Sequence, residues 1–215
     1  MNYKEANLVI IGGTVAAGKS TLVEALSKAT GWPAIPELRE GDKIQEIILQ
    51  KLYEGSRIHL ATVQYYFISN RYRQYKEISN NLVTSILDRG IWEDWIFSKL
   101  LMRTEPKSYE HYKKLWRTTI EKVLTQFGKP KAYIYVQVDW ETFKTRIYTR
   151  SREAEVANFA KNENYFRELL QEYQDHFVEI LREWDIEPII IDSRKLNKEE
   201  MLQKTISELK IKGIL

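Results

Sequence analysis

The chain has 215 residues, 33 lysines and arginines against 30 acids, a formal net charge of +3 and no cysteine. That length suits one domain with a substantial core, and the small charge excess offers no broad basic surface for nucleic acid. The missing thiols exclude disulfides, thiolate zinc sites and a cysteine nucleophile. No apolar stretch approaches the ~20 residues that span a bilayer. The apolar run Leu8–Ile11 enters a glycine loop with no cleavage-type region, so the expectation is a cytoplasmic protein without a signal peptide.

The first predicted strand is Leu8–Gly12, followed by Gly13-Thr14-Val15-Ala16-Ala17-Gly18-Lys19-Ser20 and a periodic segment, Lys19–Thr30. This matches G-x-x-x-x-G-K-[ST] in a strand–loop–helix setting. There, backbone N–H groups cradle the phosphates of a nucleoside triphosphate at a helix N-terminus. Lys19 is placed to bridge phosphate oxygens, Ser20 to ligate Mg²⁺, and Thr21 follows at the helix start. A second strand, Pro33–Glu37, ends in a carboxylate at Glu37, and helices follow over Lys43–Tyr53 and Ile58–Ser79. The third strand, Leu82–Asp88, ends in Asp88 with Arg89 beside it. A carboxylate near a γ-phosphate can hold Mg²⁺ or accept a proton, and an arginine there can stabilise the moving phosphoryl charge.

A long helical stretch is predicted from Trp92 to Thr125, then a strand over Ala132–Val138 and a helix over Trp140–Tyr148. Arg146 and Arg150 are four apart, hence on one helix face, and Arg152 follows. The three suit a flap, at about residues 146–160, that closes over a triphosphate. A helix over Asn162–Trp184, a strand over Glu187–Asp192 and a helix over Lys198–Lys210 complete the chain. The strands include near-continuous apolar runs and alternate with helices. The expected fold is therefore a three-layer α/β domain spanning 1–215, a five-stranded parallel sheet with helices on both faces.

The chain resembles the deoxyribonucleoside kinases, from the phosphate loop to the arginine flap. The resemblance rests on "GTVAAGKS", "PEL", "TVQYYFISNRY", "DRGIWED" and "RIYTRSREAE". It implies a P-loop nucleoside kinase fold and a homodimer, with ATP as donor and Mg²⁺ as cofactor. It implies that Glu37 is the general base facing the 5′-hydroxyl, with Arg89 beside that hydroxyl and Asp88 helping to hold Mg²⁺. Gln64 pairs with the base edge, Arg71 and Asp94 line the base pocket, Tyr53 and Glu155 hold the sugar 3′-hydroxyl, and Arg146, Arg150 and Arg152 form the lid. Leu38 stands where the family has proline, and Gly90 where it commonly has a small hydroxyl residue.

Gln64 and Arg71 are seven apart and so share a helix face. On residue type alone, Gln64, Arg71 and Asp94 read as ordinary helix-surface polarity. Phe67 and Trp92 are candidate pocket walls for stacking a base. An arginine–aspartate pair suits deoxyadenosine, deoxyguanosine or deoxycytidine better than thymidine. Two alternatives stay open: a thymidylate-type monophosphate kinase, which needs an arginine clamp on its acceptor phosphate, and a nucleotide switch or nucleic-acid-dependent ATPase.

Overall fold

The computed structural model describes residues 3–37, 42–53, 60–149 and 153–215. Strand β1 (Glu5–Gly12) is central, and its last five residues are buried, as expected for a strand covered on both faces. Around it lie β2 (Ala34–Ile35), β3 (Ser85–Asp88), β4 (Lys129–Gln137) and β5 (Ile189–Asp192). All are parallel, in the order β2-β3-β1-β4-β5.

The helices described are α1 (Lys19–Thr30), α2 (Lys43–Tyr53), α3 (Leu60–Ile78), α4 (Asp94–Leu101), α5 (Pro106–Gln126), α6 (Trp140–Thr149), α7 (Glu153–Glu183) and α8 (Lys198–Ile211). From β1 the chain crosses outward past β3 to β2; the later crossovers run the other way. Right-handed connections in opposite directions put their helices on opposite faces. Accordingly α1 packs with α8, while α3, α4, α5 and α7 pack with one another. On that second face Tyr133 and Tyr135, two apart on β4, meet Tyr173 and Phe177 of α7.

The first two helices begin and end where the sequence pattern puts them. α1 stops at Gly31, whose φ of 73° lets its N–H bond back to Ser27 O, a conformation that favours glycine. Four other expectations are corrected. The second strand shrinks to Ala34–Ile35 because it is a sheet edge hemmed in by Pro33 and Pro36. The third begins at Ser85, since Leu82 and Val83 are exposed and lie outside the sheet. The long stretch from Trp92 splits into a 3₁₀ turn (Ile91–Glu93), α4 and α5, with Pro106 starting α5. The helix expected from Asn162 already runs at Glu153, within α7.

No described helix is long and apolar enough to cross a membrane.

Candidate active site

β1 and β3 are neighbours whose outgoing connections run to opposite sides, which opens a crevice at their carboxyl ends. Their register, Ile11 beside Asp88, brings the phosphate loop and the "DRG" turn together, and Arg89 N–H donates to Ile11 O at 3.0 Å. A ligand held by the loop is thus met at once by Asp88 and Arg89.

The loop turns through Gly13 (φ 140°), Ala16 (φ 57°) and Gly18 (φ 101°) into the N-terminus of α1. A Cβ on Gly13 would collide with Val136 O. Lys19 Nζ donates to Thr14 O at 2.9 Å. Burial, and then Arg89, push the Lys19 ammonium down to about 8 against the pull of Asp88 and Glu37. Ser20 Oγ donates to Asp88 Oδ2 at 2.8 Å, while Asp88 Oδ1 is buried with no hydrogen-bond partner among the described residues. Burial raises the Asp88 pKa, with Lys19 opposing. A hydroxyl beside a carboxylate that keeps one oxygen unpaired is a donor set that fits Mg²⁺, which takes few protein ligands and completes its shell with water and phosphate.

A pocket of about 370 Å³ continues from Gly18, Lys19, Ser20 and Thr21 towards Asn197 and Met201. Arg146 lines it from α6, donating to Ala17 O (2.8 Å), Ser193 Oγ (2.9 Å) and Ser193 O (2.7 Å). Its guanidinium thereby braces the loop backbone against the turn after β5. Val15 completes the loop, partly buried against the core. Arg150 and Arg152 lie outside the described residues.

On the other side of the crevice lies a row of charges in which Arg71, Arg89 and Asp94 are buried and Glu37 is partly exposed. Glu37, two residues past β2, receives Arg89 Nε at 2.6 Å and Arg71 Nη2 at 3.0 Å, both on Oε1. Burial works to raise the Glu37 pKa, but Arg89, Arg71 and Lys19 outweigh it and hold the carboxyl down at about 2. Arg71 reaches from α3 and sets its Nε 3.6 Å from Asp94 Oδ1. Asp94 Oδ2 is buried without a partner among the described residues. With that imperfect pairing, burial dominates and pushes Asp94 up to about 7, Arg71 offsetting it only in part. Arg89 has φ 71°, strained for a residue with a side chain; such a conformation costs on the order of 1–3 kcal/mol and persists only where the surroundings enforce it.

Gln64, four residues after the start of α3, is buried beside Val63 and shares its helix face with Arg71. Phe67 is partly buried, its ring edge-on to Tyr66. Trp92 is no pocket wall: it is fully buried, with its ring edge-on to Tyr75 and Tyr133 in the core. The side chains of Tyr53 and Glu155 lie outside the described set.

Two participants escape sequence reasoning. Gln74 Nε2 donates to Pro36 O at 3.0 Å, tying α3 to the segment that carries Glu37. Glu93, wholly buried, accepts from Arg89 Nη1 at 2.7 Å and from Gly13 N–H at 3.0 Å. The sequence signal for Glu93 is its place four residues after Arg89, between Trp92 and Asp94.

A phosphate loop facing a carboxylate–arginine row is equipped to place a hydroxyl against a terminal phosphate. The deoxynucleoside kinase family model matches residues 9–212. The chain belongs to the deoxynucleoside kinase family. It is a nucleoside kinase, a phosphotransferase, of P-loop α/β fold. An uncharacterized protein of Mycoplasma pneumoniae is 33% identical over 98% of this chain and 93% of its own. The deoxyadenosine/deoxycytidine kinase of Bacillus subtilis is 30% identical, over 79% of this chain and 76% of its own. Among solved structures, deoxyadenosine kinase from M. mycoides with bound dATP superposes with a TM-score of 0.76, at 25% identity, covering 94% of this chain and 98% of that one.

Proposed function

We propose that this kinase transfers the γ-phosphoryl of ATP to the 5′-hydroxyl of a deoxynucleoside, preferring deoxyadenosine, deoxyguanosine or deoxycytidine to thymidine, in nucleotide salvage. The observation that carries the reading is the single row Asp94–Arg71–Glu37–Arg89, which runs from α4 and α3 to the mouth of the phosphate loop. Such a row can read a base at one end and receive a sugar hydroxyl at the other. Gln64 supplies both a donor and an acceptor to the base edge, beside Phe67. Tyr53 and Glu155 are assigned the 3′-hydroxyl by family membership, and Arg150 and Arg152 the triphosphate.

In this mechanism the protein mostly aligns reactants and balances charge. Glu37 accepts the hydrogen bond of the 5′-hydroxyl. Held at about 2, it is a weak base, so it takes the proton only as the new O–P bond forms and the hydroxyl becomes acidic. The bond between the γ-phosphorus and its bridging oxygen breaks, and ADP carries away that oxygen. Lys19 and Arg89 face the charge on the phosphoryl oxygens, and the loop N–H groups hold the departing diphosphate. Ser20 and Asp88 would hold Mg²⁺, which when bound neutralises phosphate charge.

The monophosphate-kinase alternative fares worse on the same geometry. An acceptor phosphate needs free arginines, and here Arg71 and Arg89 are both bound to Glu37, whose carboxylate would repel a second anion. A homodimer and a cytoplasmic setting belong to the proposal through family membership alone.

The test offers the four deoxynucleosides and dTMP, each with labelled ATP and Mg²⁺. The purine deoxynucleosides or deoxycytidine should be phosphorylated faster than thymidine. Faster phosphorylation of dTMP than of any nucleoside would overturn the reading.

A further inference from the structure

Glu93 is the most heavily hydrogen-bonded side chain around the crevice, yet it sits behind the row that faces the substrate. Its Oε2 accepts from Tyr173 OH (2.6 Å), Arg89 Nη1 (2.7 Å) and Gly13 N–H (3.0 Å). Its Oε1 accepts from Tyr133 OH (2.8 Å) and Gly90 N–H (3.2 Å). The donors come from the end of β1, the turn after β3, the middle of β4 and the middle of α7. Tyr173 OH also contacts Arg89 Nη1. A carboxylate so deeply buried is retained only where its hydrogen bonds are met, and here five donors meet them.

We propose that Glu93 is a positioning residue, one carboxylate that fixes the first N–H of the phosphate loop and the guanidinium of Arg89 at a set distance from each other. It touches neither reactant. Its grip sets where the donor's phosphates lie relative to the arginine that faces the acceptor hydroxyl, and it enforces the strained backbone of Arg89. Neutralising it frees both ends at once.

The surrounding sequence is shaped to admit this carboxylate. A Cβ on Gly12 would lie 2.5 Å from Glu93 Oε1 and 2.6 Å from Tyr133 Cε1. A Cβ on Gly90 would lie 2.9 Å from Tyr133 OH. In this chain the hydroxyl beside Glu93 comes from Tyr133 on β4, and it occupies the space that a side chain at 90 would fill.

The inference rests on the phosphoryl transfer proposed above. The assay therefore uses whichever deoxynucleoside the parent phosphorylates fastest. A wrong acceptor preference then shows in the parent's own panel, and a wrong role for Glu93 only in the variants. Glu93→Gln keeps the size and loses the charge. Turnover per nucleoside-binding site, counted by equilibrium titration, should fall about 10²-fold, the scale of a 1 Å misplacement, with nucleoside Kd changed by less than about threefold. Tyr133→Phe should lower kcat by roughly threefold or more, and adding it to Glu93→Gln should lower it no further, because Tyr133 acts only through Glu93. A merely structural carboxylate predicts the opposite pattern: a lower Tm and fewer binding sites, with kcat per site within about threefold of the parent and the two substitutions multiplying. That pattern would overturn the proposal. Should Glu93→Gln fail to fold, Tyr133→Phe decides alone: reduced kcat at unchanged Kd supports the role, and unchanged kcat removes it.

Discussion

On the proposed reading, the donor side of the crevice is a single run of chain, Gly13–Ser20, in which backbone N–H groups would do most of the holding. The acceptor side takes Glu37 from beyond β2, Arg71 from α3, Arg89 from the turn after β3 and Asp94 from α4, and joins them through ion pairs of 2.6–3.6 Å. Backbone donors are fixed by φ and ψ and need only glycine and small residues. Side-chain charges need partners, so each acceptor-side residue is defined by its neighbour as much as by its substrate. Lys19 and Ser20 apart, the donor side should therefore tolerate side-chain changes and fail on backbone changes, and the acceptor side the reverse.

The largest expected effect lies on the acceptor side. Glu37→Gln keeps the shape but removes the proton acceptor and the shared anion between Arg71 and Arg89. We expect kcat to drop by roughly 10²–10⁴, the usual range for a lost general base, while nucleoside Kd changes far less. Steady-state kinetics beside equilibrium binding measure the two separately. A kcat close to the parent's would show that the row orients substrate through its arginines alone, and would remove Glu37 from proton transfer.

The same contrast explains what the sequence shows and what it hides. The phosphate loop, α1 and α2 are legible because each is encoded by adjacent residues: glycines, a lysine, a helical period, and Gly31 as a stop. Strand lengths are less legible. "LVTSIL" reads as one buried run, but sheet register admits only Ser85–Asp88 and leaves Leu82 in solvent. Half of the acceptor row is legible too, Glu37 as an acid at a strand end and Arg89 beside Asp88, whereas Arg71 and Asp94 enter only through family resemblance, since nothing local to Arg71 announces Glu37, 34 positions earlier. Glu93 is the extreme case. Its partners Gly13 and Tyr173 lie 80 residues away on either side, so its role exists only in the folded chain.

A smaller effect, on the donor side, tests the claim about backbone. Gly13→Ala adds one methyl group at φ 140°, pointed at Val136 O. The strain is on the order of 1–3 kcal/mol, and it falls on the loop rather than on the acceptor row. ATP affinity should weaken by about tenfold or more, with deoxynucleoside Kd nearly unchanged, both by titration calorimetry. Equal loss of both affinities would mean that the strain passes through Glu93 into the acceptor row.

The smallest effect concerns charge that burial has displaced. Lys19 on the donor side is pushed down to about 8 and Asp94 on the acceptor side up to about 7, both towards neutrality. For Asp94 the folded value lies above the unfolded one, about 3.9. Between those values the folded state holds a proton that the unfolded state has released. The Asp94 contribution to stability is therefore fully present below about pH 4 and is lost as pH rises through 7. Asp94→Asn stays neutral throughout and loses nothing over that interval. Its Tm minus the parent's should thus grow by a few degrees, roughly, between about pH 5 and pH 8. A gap that stays flat, or narrows, would mean that Arg71 at 3.6 Å keeps Asp94 ionised in the fold, and that the acceptor row is a chain of full charges from end to end.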